Sequence, residues 1–315
     1  MLTFLGRRLG QGVLVLVLIS LVTFFLINLA PGGPSAAARF ETTAEERAAL
    51  SKQLGLDLPV TTRYVNWAGD VLHGDFGVTL NGGQPIGPMV RQRLWNTAQL
   101  GLSALVLSVV VGVSLGILTA MRRNSPLDHL VNALSTLGMS IPDFWTGIMA
   151  ILLFSVTWKL LPSSGLYDAS GGFSFTGWLR HMILPASVLA FVMLPNLVRF
   201  TRSSLLEVLS TDYLRTARAK GVQERQVILK HALRNALVPI LAMIGLILPA
   251  LLSGSVIVES VFGLPGMGRL AVDAALGRDY NTIMAVTLVA GAVVIVTNLL
   301  VDMTYSLIDP RIRHD

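Results

Sequence analysis

The sequence predicts an all-α integral membrane protein with six transmembrane helices. Of its 315 residues, 53% are hydrophobic and only 13% are charged, which is about half the charged fraction usual in soluble domains. The apolar residues lie in long runs, and Lys and Arg residues flank those runs. A helix needs about 20 apolar residues to cross a bilayer, so runs of this length predict membrane-spanning helices.

The first span is predicted over residues 9–30, directly after Arg7 and Arg8. This run is longer than the apolar core of a cleavable signal peptide, which is about 7–15 residues. We therefore expect residues 1–30 to remain as an N-terminal transmembrane helix.

Residues 31–96 form the longest polar interval and are predicted to fold as a small helical cap on the extracytoplasmic side. Thr43 and Glu46 have the spacing of a capping box and predict a helix over residues 44–54. Apolar residues at helical spacing predict a second helix over residues 60–72.

Five further spans are predicted between residues 97 and 306. They cover residues 98–121, 130–158, 182–198, 236–258 and 282–301. The third is long for one straight crossing and contains Pro142, which favours a kink. Asp143 is costly in hydrocarbon, so we expect it to face protein or a water-filled passage. It could line the transport pathway or make a structural hydrogen bond to a neighbouring helix, and the sequence favours neither role.

The distribution of charge places both termini in the cytoplasm, with residues 307–315 as a short tail. The segments assigned to the inside carry more than half of the 24 Lys and Arg residues but only a third of the 18 acidic residues. This excess follows the positive-inside rule. The formal net charge of +6 is thus explained by topology in a lipid membrane, and no nucleic-acid partner is expected.

A basic cytoplasmic segment is predicted within residues 203–235. Asp212 suits the positive end of a short helix, Lys220 suits the other end, and Gly221 can adopt the left-handed conformation that ends a helix. Ser210 or Thr211 is expected to accept hydrogen bonds from the first free N–H groups. A second amphipathic piece begins near Gln223, and Pro239 is expected to bend or restart it because proline lacks a donor.

Catalytic signatures are missing from the sequence. No lysine follows a glycine, so the Gly-Lys end of a nucleotide-binding P-loop is absent. The chain has no cysteine, its five histidines are scattered, and His-Glu-x-x-His does not occur. We therefore expect no enzymatic activity, no metal site and no cofactor in this chain.

Residues 211–239 resemble the cytoplasmic "EAA" loop of ATP-binding-cassette importer permeases, in the form found in dipeptide, oligopeptide, glutathione and nickel importers. The resemblance rests on Asp-Tyr-Leu-Arg-Thr-Ala-Arg-Ala-Lys-Gly at 212–221 and His-Ala-Leu-Arg-Asn-Ala-Leu-Val-Pro at 231–239. Arg215 stands where glutamate is common in the general loop, and the peptide subclass shares this departure.

The resemblance extends over nearly the whole chain. It includes Gly-Asp-Phe-Gly at 74–77, Val-Glu-Ser-Val-Phe-Gly-Leu-Pro-Gly-Met-Gly at 258–268, Arg-Asp-Tyr at 278–280 and Asp-Pro-Arg-Ile-Arg at 309–313. The large segment after the first span is similar to that of the B-type of the two membrane subunits. A type I importer permease fold in the cytoplasmic (inner) membrane is implied.

The resemblance also implies a division of labour. Such a permease forms the pathway with a second homologous membrane subunit, contacts two cytoplasmic ATPases that bind ATP and magnesium, and receives cargo from an extracytoplasmic binding protein. The implied ATPase-coupling residues are Asp212, Tyr213, Arg215, Ala217, Arg218, Lys220 and Gly221. The implied docking residues for the binding protein, in the outer loop of residues 259–281, are Gly263, Leu264, Pro265, Gly266, Met267, Arg278 and Asp279.

Two questions stay open at this point. The composition of the outer loop favours packing of Leu264 and Met267 against the cap, whereas the resemblance favours their display toward a binding protein. Peptides are the expected cargo, with glutathione or a nickel chelate as the alternative. A secondary transporter driven by an ion gradient is less favoured, because it would be expected to carry paired acids at mid-membrane and an inverted repeat.

Overall fold

The computed structural model describes residues 2–29, 58–80, 82–167, 173–223, 226–253 and 255–308. These residues form α1 (Leu2–Leu29), α2 (Val60–Leu72), α3 (Ile86–Met121), α4 (Pro126–Ser140), α5 (Asp143–Ala150), α6 (Phe175–Leu209), α7 (Asp212–Ala219), α8 (Leu233–Ser253), α9 (Val256–Val261), α10 (Met267–Leu276) and α11 (Tyr280–Ile308). A π-helical turn, Ile151–Thr157, continues α5, and another, Val227–Ala232, leads into α8. The predicted all-α fold is confirmed, and α2 has the bounds predicted for it.

Four helices are long and apolar enough to cross a membrane, namely α1, α3, α6 and α11. The pair formed by α4 and the extended α5 passes the same test, but its two parts meet at a bend of 102°. The bend falls at Pro142, so the kink predicted there is confirmed and is far sharper than one in a continuous helix. The described residues thus provide four or five spans, while the count of six stays a prediction.

The fifth span and the outer loop differ from the sequence prediction. Helix α8 runs through Pro239 and ends at Ser253, not at residue 258, and α9 follows as a separate short helix. The outer loop also contains a helix, α10, which the sequence analysis did not predict. Its apolar residues Met267, Leu270 and Ala274 recur at helical spacing and are buried, and this stripe stabilises a helix directly after the glycine-rich turn.

The chain divides into two compact units. The first unit comprises Met1–Thr97, Leu252–Val256 and Pro265–Val296. In this unit α1 lies close to α11 at Gly12. A Cβ added at Gly12 would lie only 2.6 Å from Cγ2 of Ile295. Helix α2 lies against α1, where Tyr64 Oη and Ser20 Oγ share a 2.8 Å hydrogen bond and Arg63 donates to Asn28 Oδ1 at 2.9 Å.

The second unit comprises Ala98–Leu251, Ile257–Leu264 and Thr297–Asp315. Helix α3 contacts α6 through two glycines one turn apart. A Cβ at Gly112 would lie 2.9 Å from Leu197 Cβ, and one at Gly116 would lie 2.5 Å from Thr201 Cβ. Small residues four apart let two helix backbones approach closely, as is common between membrane helices.

Two sequence predictions fall outside the described residues. They are the cap helix over residues 44–54 and the end of the tail, residues 309–315. Both stay predictions.

Candidate functional site

The short helix α7 is attached to the second unit by its one buried side chain, Leu214. Leu214 belongs to a cluster of buried residues with Ala120 of α3, Leu205 of α6 and Val227 and Ala232 of the π-helical turn before α8. Residues of α3, α6 and the π-helical turn therefore surround this leucine. The cluster fixes the position of α7 on the unit.

The opposite side of α7 is polar and exposed. Asp212 and Arg215 form an ion pair at 3.2 Å, and both side chains are largely exposed, at 92% and 72%. Thr216, Arg218 and Lys220 are also exposed. Exposed ion pairs contribute little to stability, about 0–1 kcal/mol, so these charges are available for contact with another protein.

The first turn of α7 is not capped as predicted. Thr211 occupies the N-cap position, but its side chain makes no capping hydrogen bond. Its hydroxyl donates instead to the Val208 carbonyl at 2.5 Å, and the Ser210 hydroxyl donates to the Glu207 carbonyl at 2.7 Å. Both hydroxyls are thus engaged with the last turn of α6, which explains why the predicted cap is wrong.

The end of α7 is a Schellman motif centred on Gly221. The N–H of Gly221 donates to the Arg218 carbonyl at 2.9 Å, and the N–H of Val222 donates to the Ala217 carbonyl at 3.3 Å. Gly221 has φ of +76°, the left-handed conformation that this motif requires. Val222 and Ala217 both pack against the Leu214 cluster. The predicted left-handed conformation of Gly221 at the end of the helix is therefore confirmed, while its role in coupling to an ATPase stays a prediction.

A second link connects α7 to the helix that follows it. Asn235 Nδ2 of α8 donates to the Tyr213 hydroxyl at 2.6 Å. Tyr213, which was predicted as a coupling residue, is 44% exposed. Part of its side chain is therefore accessible, although its hydroxyl is bonded to Asn235. The predicted coupling residues are thus exposed except Ala217, which packs against the Leu214 cluster.

A charge pair that the sequence analysis did not identify lies beside the beginning of α4. Arg202 of α6 binds both carboxylate oxygens of Asp128, through Nε and Nη2, each at 2.7 Å. Asn132 Nδ2 and the Asn124 N–H donate to the same carboxylate at 2.7 and 2.9 Å. The Asp128 side chain is only 2% exposed, so this pair joins α4 to α6 within the unit.

The outer loop does not display Leu264 or Met267. Leu264 lies in the core of the second unit with Phe262 and Leu166, and Met267 lies in the core of the first unit with Ile86 and Leu270. Each side chain is 2% exposed. The prediction that these two side chains face outward is wrong; they pack in cores, as the loop's composition favours, and Met267 packs with Ile86 of the segment predicted as the cap, residues 31–96.

Polar groups of α3 hold the turn between these cores. Asn96 Nδ2 donates to the Pro265 carbonyl at 2.8 Å, and the Met267 N–H donates to Thr97 Oγ1 at 2.8 Å. Gly268 is packed so closely that a Cβ would lie 2.9 Å from the Val256 backbone. The outer loop is thus a fixed structure and not a flexible connection.

The last two residues of the predicted docking set differ in exposure. Arg278 is exposed and has φ of +52°, whereas Asp279 is buried and accepts from the Thr282 N–H at 3.2 Å. Asp279 therefore acts as the N-cap of α11. Contact of the outer loop with a binding protein stays a prediction, and of the two residues Arg278 is the one with a side chain able to make it.

Serine at Leu264 or at Met267 is expected to destabilise the protein, because each change removes a buried apolar side chain and introduces a hydroxyl. Truncation of a buried Leu or Met costs about 2–5 kcal/mol. Leu276→Ser is the matched control, since Leu276 of α10 is 81% exposed. The thermal unfolding of the purified protein should show a lower Tm for the first two variants and no change for the control; equal behaviour of all three would contradict the packing.

Asp143 lies at the bend between α4 and α5. It is half-buried, and its carboxylate accepts from the Phe144 N–H at 2.9 Å. This bond is local to the first turn of α5 and does not join a neighbouring helix. A role in the transport pathway therefore stays a prediction.

Comparison with known proteins identifies the architecture. The family model described as "Binding-protein-dependent transport system inner membrane component" matches residues 112–314, and the model of the N-terminal part of such components matches residues 1–85. The chain belongs to this family. It is therefore a transport permease subunit and a multi-pass membrane protein.

Curated relatives of similar length support the assignment. The chain is 37% identical to the oligopeptide transport system permease protein AppB of Bacillus subtilis over 316 residues, covering 100% of both chains. It is 40% identical to the dipeptide transport system permease protein DppB of Escherichia coli K12 over 337 residues, covering 100% of this chain and 99% of that one.

Among solved structures, the chain is similar to one from the inward-facing MetNI methionine ABC transporter. The TM-score is 0.58 at 19% identity, over 70% of this chain and 96% of that one. At this identity the likeness shows the fold alone, and that fold is the one expected for a type I importer permease.

Proposed function

We propose that this chain is one of two membrane-spanning subunits of an ATP-driven importer that carries peptides across the cytoplasmic membrane. Its relatives, named as dipeptide and oligopeptide permeases, support peptides as the cargo. The observation that carries the mechanism is α7, an exposed basic helix whose one buried residue, Leu214, is packed against the ends of three other elements. A helix held in this way can pass a displacement of a bound partner to the spanning helices.

The partner in that contact is a cytoplasmic ATPase. Two ATPase subunits bind ATP and magnesium, and this chain holds neither cofactor and hydrolyses nothing. Nucleotide-driven closure of the ATPases moves α7, and the spans then exchange an inward-facing pathway for an outward-facing one. A homologous second permease completes the pathway, and a binding protein delivers the cargo to its extracytoplasmic side.

Reconstitution of the complex tests this function. The tagged chain is purified from its native host, the co-purifying proteins are identified by mass spectrometry, and the complex is placed in proteoliposomes with its binding protein. Uptake of radiolabelled dialanine should require ATP and the binding protein. Uptake driven by an ion gradient without ATP would refute the proposal and support the secondary-transporter alternative.

Gly221→Val should uncouple ATP hydrolysis from uptake while the complex still assembles. No atom lies within 4 Å of a Cβ at this position, so the effect arises from backbone conformation and not from a clash. A left-handed residue other than glycine costs about 1–2 kcal/mol, and a β-branched one costs more. We expect uptake per ATP hydrolysed to fall by about tenfold.

Gly221→Asn is the matched control, because asparagine tolerates the left-handed conformation. It should retain most of the uptake per ATP hydrolysed by the wild type. If valine and asparagine have the same effect, the left-handed conformation of Gly221 is not what coupling requires.

Single cysteines test the proposed topology, since the chain has none of its own. Leu72, Leu276, Arg123 and Gln223 are exposed. A membrane-impermeant maleimide added to intact cells should label cysteine at Leu72 and Leu276, and should label cysteine at Arg123 and Gln223 only after permeabilisation. Reversal at any of the four positions would contradict an assignment of both termini to the cytoplasm.

A further inference from the structure

A cavity of about 360 Å³ opens between α4, α6 and α8 in the second unit. It is lined by Asn132 of α4, by Asn196, Arg199, Phe200 and Arg202 of α6, and by Met243 of α8. Pockets for small ligands usually measure about 300–1,000 Å³, so the cavity has room for a small polar group and a short side chain. Most of its α6 residues lie just beyond the span predicted over residues 182–198, at the predicted cytoplasmic end of that span.

The cavity carries one positive charge that no carboxylate of the described residues neutralises. Arg202 is paired with Asp128 through two hydrogen bonds. Arg199 has no carboxylate within ion-pair distance among the described residues, and its Nη1 contacts the Met139 sulfur at 3.7 Å. Arg199 is exposed and follows directly after the span predicted over residues 182–198, so its charge lies at the predicted cytoplasmic end of that span.

An amide donor lies next to this charge. Asn196 precedes Arg199 by three residues and therefore lies on the same face of α6. Its side chain makes no hydrogen bond with the part of the chain that the structure describes, and it is exposed to the cavity. A guanidinium group beside an amide matches the geometry of an oxyanion, with charge-assisted hydrogen bonds to two oxygens.

We propose that this cavity binds an oxyanion, and that the ligand is the terminal carboxylate of a peptide in transit. The inference rests on the proposed function, which supplies the peptide. Arg199 and Asn196 bind the carboxylate, and Phe200 and Met243 form the apolar wall against the adjoining side chain. The Asp128–Arg202 pair keeps the neighbouring carboxylate neutralised, so that it does not repel the ligand.

Ligand-observed NMR on the complete importer tests the site. The complex is placed in nanodiscs of phosphatidylcholine without binding protein or ATP, and saturation transfer is titrated with dialanine and with its C-terminal amide. Dialanine should bind saturably and the amide at least about tenfold more weakly, because charge-assisted hydrogen bonds are lost. Arg199→Gln should weaken dialanine binding by a similar factor.

Arg123→Gln is the matched control, since Arg123 is an exposed arginine outside the cavity; it should bind dialanine like the wild type. Asn196→Ala should weaken dialanine binding by a smaller factor than Arg199→Gln, because it removes a neutral donor. Equal binding of dialanine and its amide, or binding that does not change in Arg199→Gln, would overturn the proposal.

A lipid headgroup could supply the same oxyanion chemistry, so the titration is repeated in nanodiscs that also contain phosphatidylglycerol. Native mass spectrometry then reports any retained lipid. Phosphatidylglycerol held by the wild type and lost in Arg199→Gln, with no binding of dialanine in phosphatidylcholine, would overturn the peptide assignment and identify a lipid site. ATP-driven uptake by the same wild-type complex distinguishes failure of this inference from failure of the proposed function. Uptake without carboxylate-dependent binding refutes only this inference. No uptake of any peptide refutes the proposed function.

Discussion

Arg202→Met is expected to be among the most destabilising single changes in this chain. It leaves the Asp128 carboxylate, which is 2% exposed, without the guanidinium that binds both of its oxygens at 2.7 Å. Breaking a buried ion pair by removing one partner costs about 3–5 kcal/mol, because the remaining charge is buried without compensation. The yield of purified complex and its apparent Tm should both fall.

A double variant separates the charge from the packing. Asp128→Asn removes the negative charge but keeps a side-chain oxygen for the Asn124 N–H, which donates to Asp128 at 2.9 Å. Combined with Arg202→Met, it should recover much of the lost stability, since replacing both partners of a buried pair is often nearly neutral. If the double variant is no more stable than Arg202→Met alone, the loss comes from packing around Arg202 and not from an unpaired carboxylate.

Local features of this fold were predictable from the sequence. The bounds of α2, the bend at Pro142 and the left-handed Gly221 all follow from short-range rules, namely helical periodicity, the missing N–H of proline and the absence of a Cβ. The short exposed helix α7 was predictable for the same reason, because Gly221 marks its end; its contact with an ATPase stays a prediction. The structure adds its support, the burial of Leu214 among segments from three other parts of the chain.

Features that depend on how helices lie against one another were not predictable in this way. Asp128 and Arg202 are 74 residues apart, and only the placement of α4 on α6 brings them together. The direction of Leu264 was ambiguous because the glycine-rich turn has no fixed periodicity from which the buried face can be deduced. Met267 did carry a local signal, the helical spacing of Met267, Leu270 and Ala274, which the prediction did not use. One long-range contact did carry a local signal, since Gly112 and Gly116 have the small-xxx-small spacing within an apolar span.

Gly116→Ala should separate α3 from α6 and reduce the amount of folded complex sharply. The new Cβ would lie 2.5 Å from Thr201 Cβ and 2.9 Å from the Val198 carbonyl oxygen. One of these atoms is backbone and the other is a side-chain atom fixed to it, so no rotamer change relieves the overlap. Overpacking of a core usually costs about 1–3 kcal/mol, and a contact with backbone lies at the upper end of that range or beyond it.

A control and two second-site variants determine whether the contact between α3 and α6 is the cause. Gly10→Ala is the matched control, because Gly10 lies in the apolar helix α1 and a Cβ there would meet nothing within 4 Å. This variant should be neutral or slightly stabilising, since alanine has a higher helix propensity than glycine.

Thr201→Ala should not rescue Gly116→Ala, because the closest atom, Thr201 Cβ, is still present. Thr201→Gly should rescue it in part, since the Val198 oxygen stays at 2.9 Å. Membrane yield and apparent Tm of the purified complex measure all of these variants. Rescue by alanine as complete as that by glycine would show that the Thr201 hydroxyl or methyl group, and not the approach of the two backbones, limits the packing of α3 on α6.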